Sequence, residues 1–332
     1  MRITLREIAR LADVSVATAS LAMNNKPTVN IETKNRVQEI ARKYNYNPNH
    51  SARSLIMGKS NCIGLIVTDI SNPFFSMLVD EFNKEVEEIG YSMLLGISGD
   101  KAPTEKKYVE MFVSKNVEGV IIVPTIEKKP DLGHLYSLKG LDIPFVFCTS
   151  AYNGFNEPCI MTDLREGEYQ MVKHLLDQGR NKIHIITGNR ELQLARLRLE
   201  GYFKAYEQAG LTYRSEWIIE TVPDFDHGYS AALKCLEDKP DAIVTINDYL
   251  AMGVLKALKD NHIHVPKDIA VAGYDDLLFV SLLETPLSTV RQPVKEICKK
   301  TLEVLMNRIN GDENQKDIYY LEPVMKVRES TS

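Results

Sequence analysis

The 332-residue chain has no run of about 18 apolar residues, the length a helix needs to span a bilayer. Its N-terminus lacks the apolar core of a signal peptide, because Arg2, Arg6, Glu7 and Arg10 interrupt it. Cysteine is sparse: Cys62, Cys148, Cys159, Cys235 and Cys298 are odd in number, widely spaced and form no CxxC pair. That argues against a disulfide frame or a cysteine zinc site and, with the missing leader, predicts reduced thiols in a cytoplasmic chain. The histidines are scattered too, and His262 and His264 are two apart in a predicted loop, poor spacing for a metal. There is no P-loop, no GxGxxG behind a strand and no nucleophile elbow. No metal, cofactor or enzymatic chemistry is therefore expected.

What the chain does have is unevenly distributed charge. Residues 1–60 carry ten Lys and Arg against four Asp and Glu, a net of about +6. Residues 61–332 keep 30 against 41, about −11, so the overall net charge of −5 hides a basic head on an acidic body. Such asymmetry fits a phosphate-binding arm on a domain that does not touch nucleic acid. Helical punctuation strengthens this. Thr4-Leu5-Arg6-Glu7 fits a capping box, and Leu5, Ile8, Ala9 and Leu11 fall on one face at helical spacing. Asp13-Val14-Ser15 breaks the run, and Ser15 can cap a second helix from Val16 to Met23 that Asn24-Asn25 and Pro27 end. A third helix follows Asn30, with Val37, Ile40, Ala41 and Tyr44 facing inward. This is helix-turn-helix geometry. Pro48-Asn49 then reads as the start, and Gly58 as the stop, of a helix too short to be stable in isolation.

The runs TLREIARLADVSVATAS, YNPNHSARSLIMGKS, IGLIVTDISNPFF and the C-terminal VRES occur in that order. Together they resemble the LacI/GalR family of bacterial transcription regulators over essentially the whole chain. The resemblance implies an N-terminal all-α helix-turn-helix DNA-binding domain with a hinge helix. It also implies an α/β periplasmic-binding-protein-like core of two Rossmann-like parallel-sheet subdomains. The expected boundaries are 1–47 for the DNA-binding domain, 48–60 for the hinge and 61–332 for effector binding and dimerisation. Within the last, one subdomain takes about 61–160 and 291–320, the other about 161–290 and 321–332. Val16, Ala17 and Leu21 would face base edges in the major groove, Leu21 being apolar where the family often carries a polar or basic side chain. Such a trio can touch thymine methyls but cannot make the bidentate guanine contact of an arginine. Arg10, Thr18, Ser20 and Asn24 suit phosphate anchoring by type, and Thr4, Ser15, Asn49 and His50 complete the expected DNA-facing set. By the same resemblance Leu55 is the wedge that enters the central minor-groove step, flanked by Ala52 and Arg53.

From Cys62 onward, apolar runs of strand length alternate with amphipathic helices, which predicts parallel sheets covered on both faces. So long a segment fits two similar cores better than one, and the resemblance implies three chain crossings between them, near residues 160, 290 and 320. Ligands of open parallel sheets bind beyond the carboxyl ends of strands. Those ends deliver Asp69, Asn72-Pro73-Phe74-Phe75, Gly188-Asn189, Asn247-Asp248 and Gly273-Tyr274-Asp275-Asp276, groups suited to a hydroxylated ligand. The resemblance adds Arg198 as a bidentate anchor, Asn247 and Asp275 as polar clamps, and Phe74, Phe75 and Phe225 as stacking surfaces. Cys148 stands where relatives frequently place Asp or Asn. Plainer roles stay open: Asp275-Asp276 as a turn pair, Arg196 and Arg198 as solvated positions of one helix, Asn247 as a helix start.

The expected function is thus an allosteric regulator, most often a repressor in this family. It would bind near-palindromic, double-stranded operator DNA as a homodimer and respond to a small effector, with a carbohydrate the first class to test. A solute-binding module of periplasmic type explains residues 61–330 equally well but leaves the basic head without a purpose. An enzyme using Asp275-Asp276 as paired carboxylates is disfavoured because adjacent side chains generally point apart. The chain stops just after VRES, without the heptad tail that tetramerises some relatives, so a dimer is expected. Leu55→Ala should weaken specific operator binding far more than binding to random duplex, as measured by competition in fluorescence anisotropy; equal losses on both would sink the wedge reading.

Overall fold

The computed structural model describes residues 3–46, 60–127, 129–312 and 317–332, and it divides into two compact units, Met1–Ser60 and Asn61–Ser332. The hinge positions Asn49, His50, Ala52, Arg53 and Leu55 lie outside the described residues.

The first unit holds three helices, α1 (Leu5–Leu11), α2 (Val16–Met23) and α3 (Ile31–Lys43). The capping box forms as the sequence predicts: Thr4 N–H donates to the Glu7 carboxylate at 2.8 Å while Glu7 N–H donates to Thr4 Oγ1 at 3.3 Å. Ser15 and Asn30 cap α2 and α3 in the same manner, so each helix start is fixed by a local side-chain acceptor. Ile8, Ala9, Ala12, Ala19, Ala22, Val29, Val37 and Ala41 close a small core. Two positions expected inside lie outside. Leu11 is 43% exposed and Tyr44 46%; Ala12 and Tyr46 pack inward instead, because a core built largely of alanines holds the helices too close for large side chains at those positions.

The second unit contains two six-stranded sheets. The first has β1 (Cys62–Val67), β2 (Ser92–Ile97), β3 (Gly119–Ile122), β4 (Phe145–Cys148), β5 (Cys159–Thr162) and β11 (Ile318–Leu321), in the order β2-β1-β3-β4-β5-β11 and all parallel. The second has β6 (Ile183–Thr187), β7 (Ile218–Glu220), β8 (Ala242–Thr245), β9 (Ala270–Asp275), β10 (Ser288–Arg291) and β12 (Val324–Lys326), ordered β7-β6-β8-β9-β10-β12. Only β12 runs antiparallel, against β10, a departure from the all-parallel expectation at the edge of the second sheet. The helices are α4 (Pro73–Glu88), α5 (Ala102–Ser114), α6 (Gly133–Gly140), α7 (Leu164–Asp177), α8 (Gln193–Ala209), α9 (Phe225–Leu236), α10 (Asp248–Asp260) and α11 (Val294–Ile309).

Strand alternation explains why both sheet faces are buried. On β1, Ile63, Leu65 and Val67 join Phe74, Leu78 and Phe82 of α4, while Ile66 joins the opposite cluster with Phe112 of α5. The chain leaves the first sheet after Thr162, returns after Arg291 and leaves again after Leu321.

Helix pairs on the second sheet approach through glycines. A Cβ on Gly201 of α8 would lie 2.2 Å from the Arg165 carbonyl oxygen of α7, and one on Gly253 of α10 would lie 2.1 Å from the Phe225 carbonyl of α9. Both contacts are with backbone, which cannot step aside. Gly201→Ala should therefore lose about 1–3 kcal/mol in urea unfolding, whereas Gly140→Ala, where a Cβ meets nothing within 4 Å, should cost nothing; equal effects would contradict the packing argument.

Candidate functional site

On the head, α2 turns Ala19 and Ala22 into the core and leaves Val16 (44%), Ala17 and Leu21 (40%) exposed together. None of the apolar trio is spent on the three-helix core. The polar groups beside it are arranged locally. Ser15 Oγ accepts Thr18 N–H at 3.0 Å and lies 2.8 Å from the Thr18 hydroxyl, and Asn24 Nδ2 donates to the Ser20 carbonyl at 2.8 Å. Thr4 is occupied in its cap with Glu7. Arg10 is exposed and makes no ion pair among the described residues. The face therefore combines an apolar ridge with hydroxyls and an unpaired cation.

In the second unit, the strand-end residues divide between the two sheets. At the end of β1, Asp69 accepts both the backbone N–H (2.8 Å) and the hydroxyl (2.7 Å) of Ser71, and Asn72 caps α4 through Phe74 N–H. Phe74 is not a free stacking surface: it is buried in the core, because as the second residue of α4 it faces the sheet along with Leu78 and Phe82. Phe75 is half-buried beside it, rings edge-on with centroids 5.5 Å apart. Cys148 also departs from its expected role. Its thiol is fully buried against Thr301 of α11, 3.9 Å from that hydroxyl, and burial pushes it up to about 12; as the last residue of β4 it points into the core layer. Asp100, beyond β2, was not singled out by the sequence. One of its oxygens is buried without a partner, and burial, then the charges of Asp69 and Glu127, hold its carboxyl above the usual range.

The end of the second sheet is more closely built. Asn247 caps α10 by accepting Leu250 N–H at 2.8 Å, as the plainer reading has it, and also reaches the Pro223 carbonyl at 3.3 Å. Phe225 is half-buried at the start of α9. Asp248 is fully buried, accepting the Thr289 hydroxyl at 2.6 Å and Leu277 N–H at 2.8 Å. Burial, then the neighbouring Asp275, raises its carboxyl well above the usual range. Asp275 and Asp276 both have positive φ, 110° and 56°, a conformation that non-glycine residues adopt at a cost and that clusters at functional sites. Their side chains diverge. Asp276 is clamped by Arg291 at 2.6 Å and by Arg328 of the VRES segment at 2.5 Å. Asp275 accepts from Gln292 Nε2 at 2.6 Å, and Gln292 in turn accepts from the Thr162 hydroxyl at 2.7 Å.

Arg198 is buried to 7% exposure, its guanidinium 4.5 Å over the Tyr274 ring. Among the described residues its one hydrogen bond is a long 3.5 Å contact to the Leu194 carbonyl, and its buried Nε has no partner there. Arg196, two residues away, is exposed and bonds the Glu191 carbonyl, so one helix splits the two arginines between solvent and interior. Glu168, Tyr274 and Gln292 complete this cluster; Tyr274 stands among the strand-end residues read from the sequence, whereas Glu168 and Gln292 were missed as functional positions. Gln292 and Thr162 are 130 residues apart in the chain, beyond any local signal. Glu168 was legible: it stands on the buried stripe Leu164, Met171, Val172, Leu175 of α7, where a carboxyl needs a reason.

Residues 4–49 match the profile of bacterial regulatory proteins, lacI family, and residues 172–331 that of the periplasmic binding protein-like domain. The ribose operon repressor of Haemophilus influenzae is 32% identical over 331 residues, covering 98% of both chains. The HTH-type transcriptional repressor PurR of Vibrio vulnificus is 30% identical over 329 residues, again 98% of each. This chain belongs to the LacI family. Among solved structures, the Lac repressor dimer bound to operator and the anti-inducer ONPF superposes with a TM-score of 0.88 at 23% identity, over 100% of this chain and 99% of that one. The regulator CelR in complex with cellobiose gives 0.74 at 24% identity, over 99% and 100%. Both share the architecture described above for this LacI-family protein. No helix among the described residues is long and apolar enough to cross a membrane.

Burial makes the carboxyl cluster of this LacI-family chain pH-sensitive. Desolvation pushes Asp275 up to about 7, against the pull of Gln292 and Arg198, and Glu168 up to about 8, against Arg198. A carboxyl whose folded pKa is raised contributes stability at low pH that is lost as pH rises through the folded pKa. Each group should thus cost up to about 1.4 kcal/mol per pH unit above its unfolded pKa, ending near pH 7 and pH 8 respectively. In calorimetric melts from pH 5 to 8.5, Asp275→Asn and Glu168→Gln should each flatten the fall in Tm; profiles parallel to wild type would contradict the assignment.

Proposed function

We propose that this chain is a cytoplasmic, non-enzymatic transcriptional repressor. It binds a near-palindromic operator as a homodimer and responds to a small hydroxylated effector, a sugar or sugar derivative, at the strand-end cluster. One observation carries the reading. A basic helix-turn-helix with an unspent apolar ridge is joined, in a single chain, to a body whose strand ends hold a buried guanidinium without a charge partner among the described residues. The ribose operon repressor, the repressor PurR and the operator- and cellobiose-bound neighbours support both halves. A solute-binding module without DNA function leaves the head unexplained. Paired-carboxylate catalysis is opposed by the divergence of Asp275 and Asp276, the latter locked between two arginines.

In this reading α2 lies in the major groove with Val16, Ala17 and Leu21 toward base edges and Arg10, Thr18, Ser20 and Asn24 toward the backbone. Leu55 of the hinge opens the central step. Arg198, Asn247 and Asp275 hold the effector's hydroxyls, and Phe75 and Phe225 supply ring faces. Closing the two sheets around the ligand shifts the segments that cross between them and alters the spacing of the paired hinges.

The experiment is selection of operator duplexes from a random pool, followed by anisotropy titration with ribose, glucose, cellobiose, adenosine and hypoxanthine. A near-palindromic site should emerge, and one compound should change affinity for it by about 5–150-fold, the usual size of such coupling. Arg198→Ala should abolish that response while leaving effector-free DNA affinity unchanged. Failure to select a palindrome would reject the DNA reading, and an Arg198→Ala protein that responds like wild type would reject the effector site.

A further inference from the structure

Three polar side chains meet where α7, α8 and β9 converge. Glu168 is 2% exposed, Arg198 7% and Asp275 4%. Helix packing forces the meeting. Gly201 brings α8 against α7 with its Cα facing the Glu168 Cβ, and Gly167 makes room for Tyr274, whose hydroxyl would lie 2.3 Å from any Cβ there. Buried charges at such proximity ordinarily pair. These do not: neither Glu168 nor Asp275 comes within ion-pair distance, 4.0 Å, of the Arg198 guanidinium. Glu168 makes no hydrogen bond among the described residues, and Arg198 Nε and the Tyr274 hydroxyl are buried without partners. Asp276, next in sequence to Asp275, shows that this fold pairs a buried carboxylate when pairing is its purpose.

Resting on the effector-site reading above, we propose that Glu168 is a specificity residue of that site. As they ionise, the two buried carboxyl groups around one guanidinium cancel the positive charge an anion would need, so the site takes a neutral polyhydroxyl ligand and turns away its phosphorylated or carboxylated counterpart. The chemistry is complementary at each atom. The guanidinium donates to a ligand oxygen, while the two carboxylates accept ligand hydroxyl protons, an arrangement that suits a diol and opposes a phosphate. The groups facing Glu168 are Arg198 of α8, Tyr202 of the same helix and Tyr274 of β9, with Asp275 and Asp163 behind the tyrosine. Because the raised carboxyls ionise as pH climbs toward 8, discrimination against anions sharpens over that range.

Sulfate, whose charge is constant across this pH range, is the probe. In isothermal titrations of the full chain at pH 8.5, Glu168→Gln should bind sulfate about tenfold more tightly than wild type, the effect of removing one nearby buried charge. The double variant Glu168→Gln/Arg198→Ala should lose that gain. Equal affinity in wild type and Glu168→Gln, or a gain that survives loss of Arg198, overturns the proposal. Wild-type protein supplies a check that needs no Glu168 variant: its sulfate affinity should fall from pH 6 to 8.5, and a flat profile overturns the proposal as well. Failure here leaves the effector site standing if Arg198→Ala still silences the operator response; loss of that site itself is read only in the operator assay.

Discussion

Two consecutive aspartates at the end of β9 hold all three segments by which the chain passes between its sheets. Asp275 grips Gln292, which follows the second crossing, and through it Thr162, which precedes the first. Asp276 grips Arg291 on one side and Arg328, beyond the third crossing, on the other. The backbone twists to positive φ at both residues to send their side chains opposite ways. One carboxylate is thus a fixed post, saturated by two guanidiniums. The other is singly bonded among the described residues and stands beside Arg198. Under the proposed function, a ligand that hydrogen-bonds Asp275 competes directly for the group that ties the crossing strands together. No long relay is needed between effector and hinge motion.

Close backbone approach is the second constraint. Glycine is unfavourable inside helices, yet Gly201, Gly228 and Gly253 occupy helix interiors where any Cβ would strike a neighbouring backbone carbonyl. The same approach that fills the layer over the second sheet delivers Glu168 and Arg198 to the strand ends. It also sets Phe225 and Asn247 side by side, the latter bonded to the loop that leads into α9. Packing and site are one arrangement, which is why a change at Gly201 would be felt as lost stability before it is felt as lost recognition.

The head was legible because its determinants are local. A capping box, two side-chain caps and a turn lie within three or four residues of their partners, and such signals survive without knowledge of the rest of the fold. Leu11 and Tyr44 were misplaced because periodicity gives a face but not the width of the buried stripe. Strand ends were legible for the same reason as the head: an apolar run stops where polar residues begin. Direction of side chains at those ends was not. Phe74 follows the sheet-facing side of α4 and Cys148 the alternation of β4, not the chemistry of a pocket, and only the assembled layers reveal which side faces in. Contacts such as Thr162–Gln292 and Arg328–Asp276 join distant segments of the chain, and no window on the sequence contains both partners.

Arg198 has no carboxylate at ion-pair distance among the described residues. Burying a guanidinium without a carboxylate at ion-pair distance costs several kcal/mol, and its Nε pays the separate penalty of an unmade hydrogen bond, about 1–3 kcal/mol. Stacking on Tyr274 offsets a part, about 2 kcal/mol at most for a desolvated cation. Residues able to relieve the remainder are present: Glu168 and Asp275 flank the group, and burial raises the pKa of both against the opposing pull of the Arg198 charge. A fold selected for stability alone would close these gaps, as it does around Asp276. Under the proposed function, holding both carboxyl groups off the guanidinium keeps donors and acceptors free for a ligand that supplies both kinds of hydrogen bond at once, and its binding recovers the stability forgone.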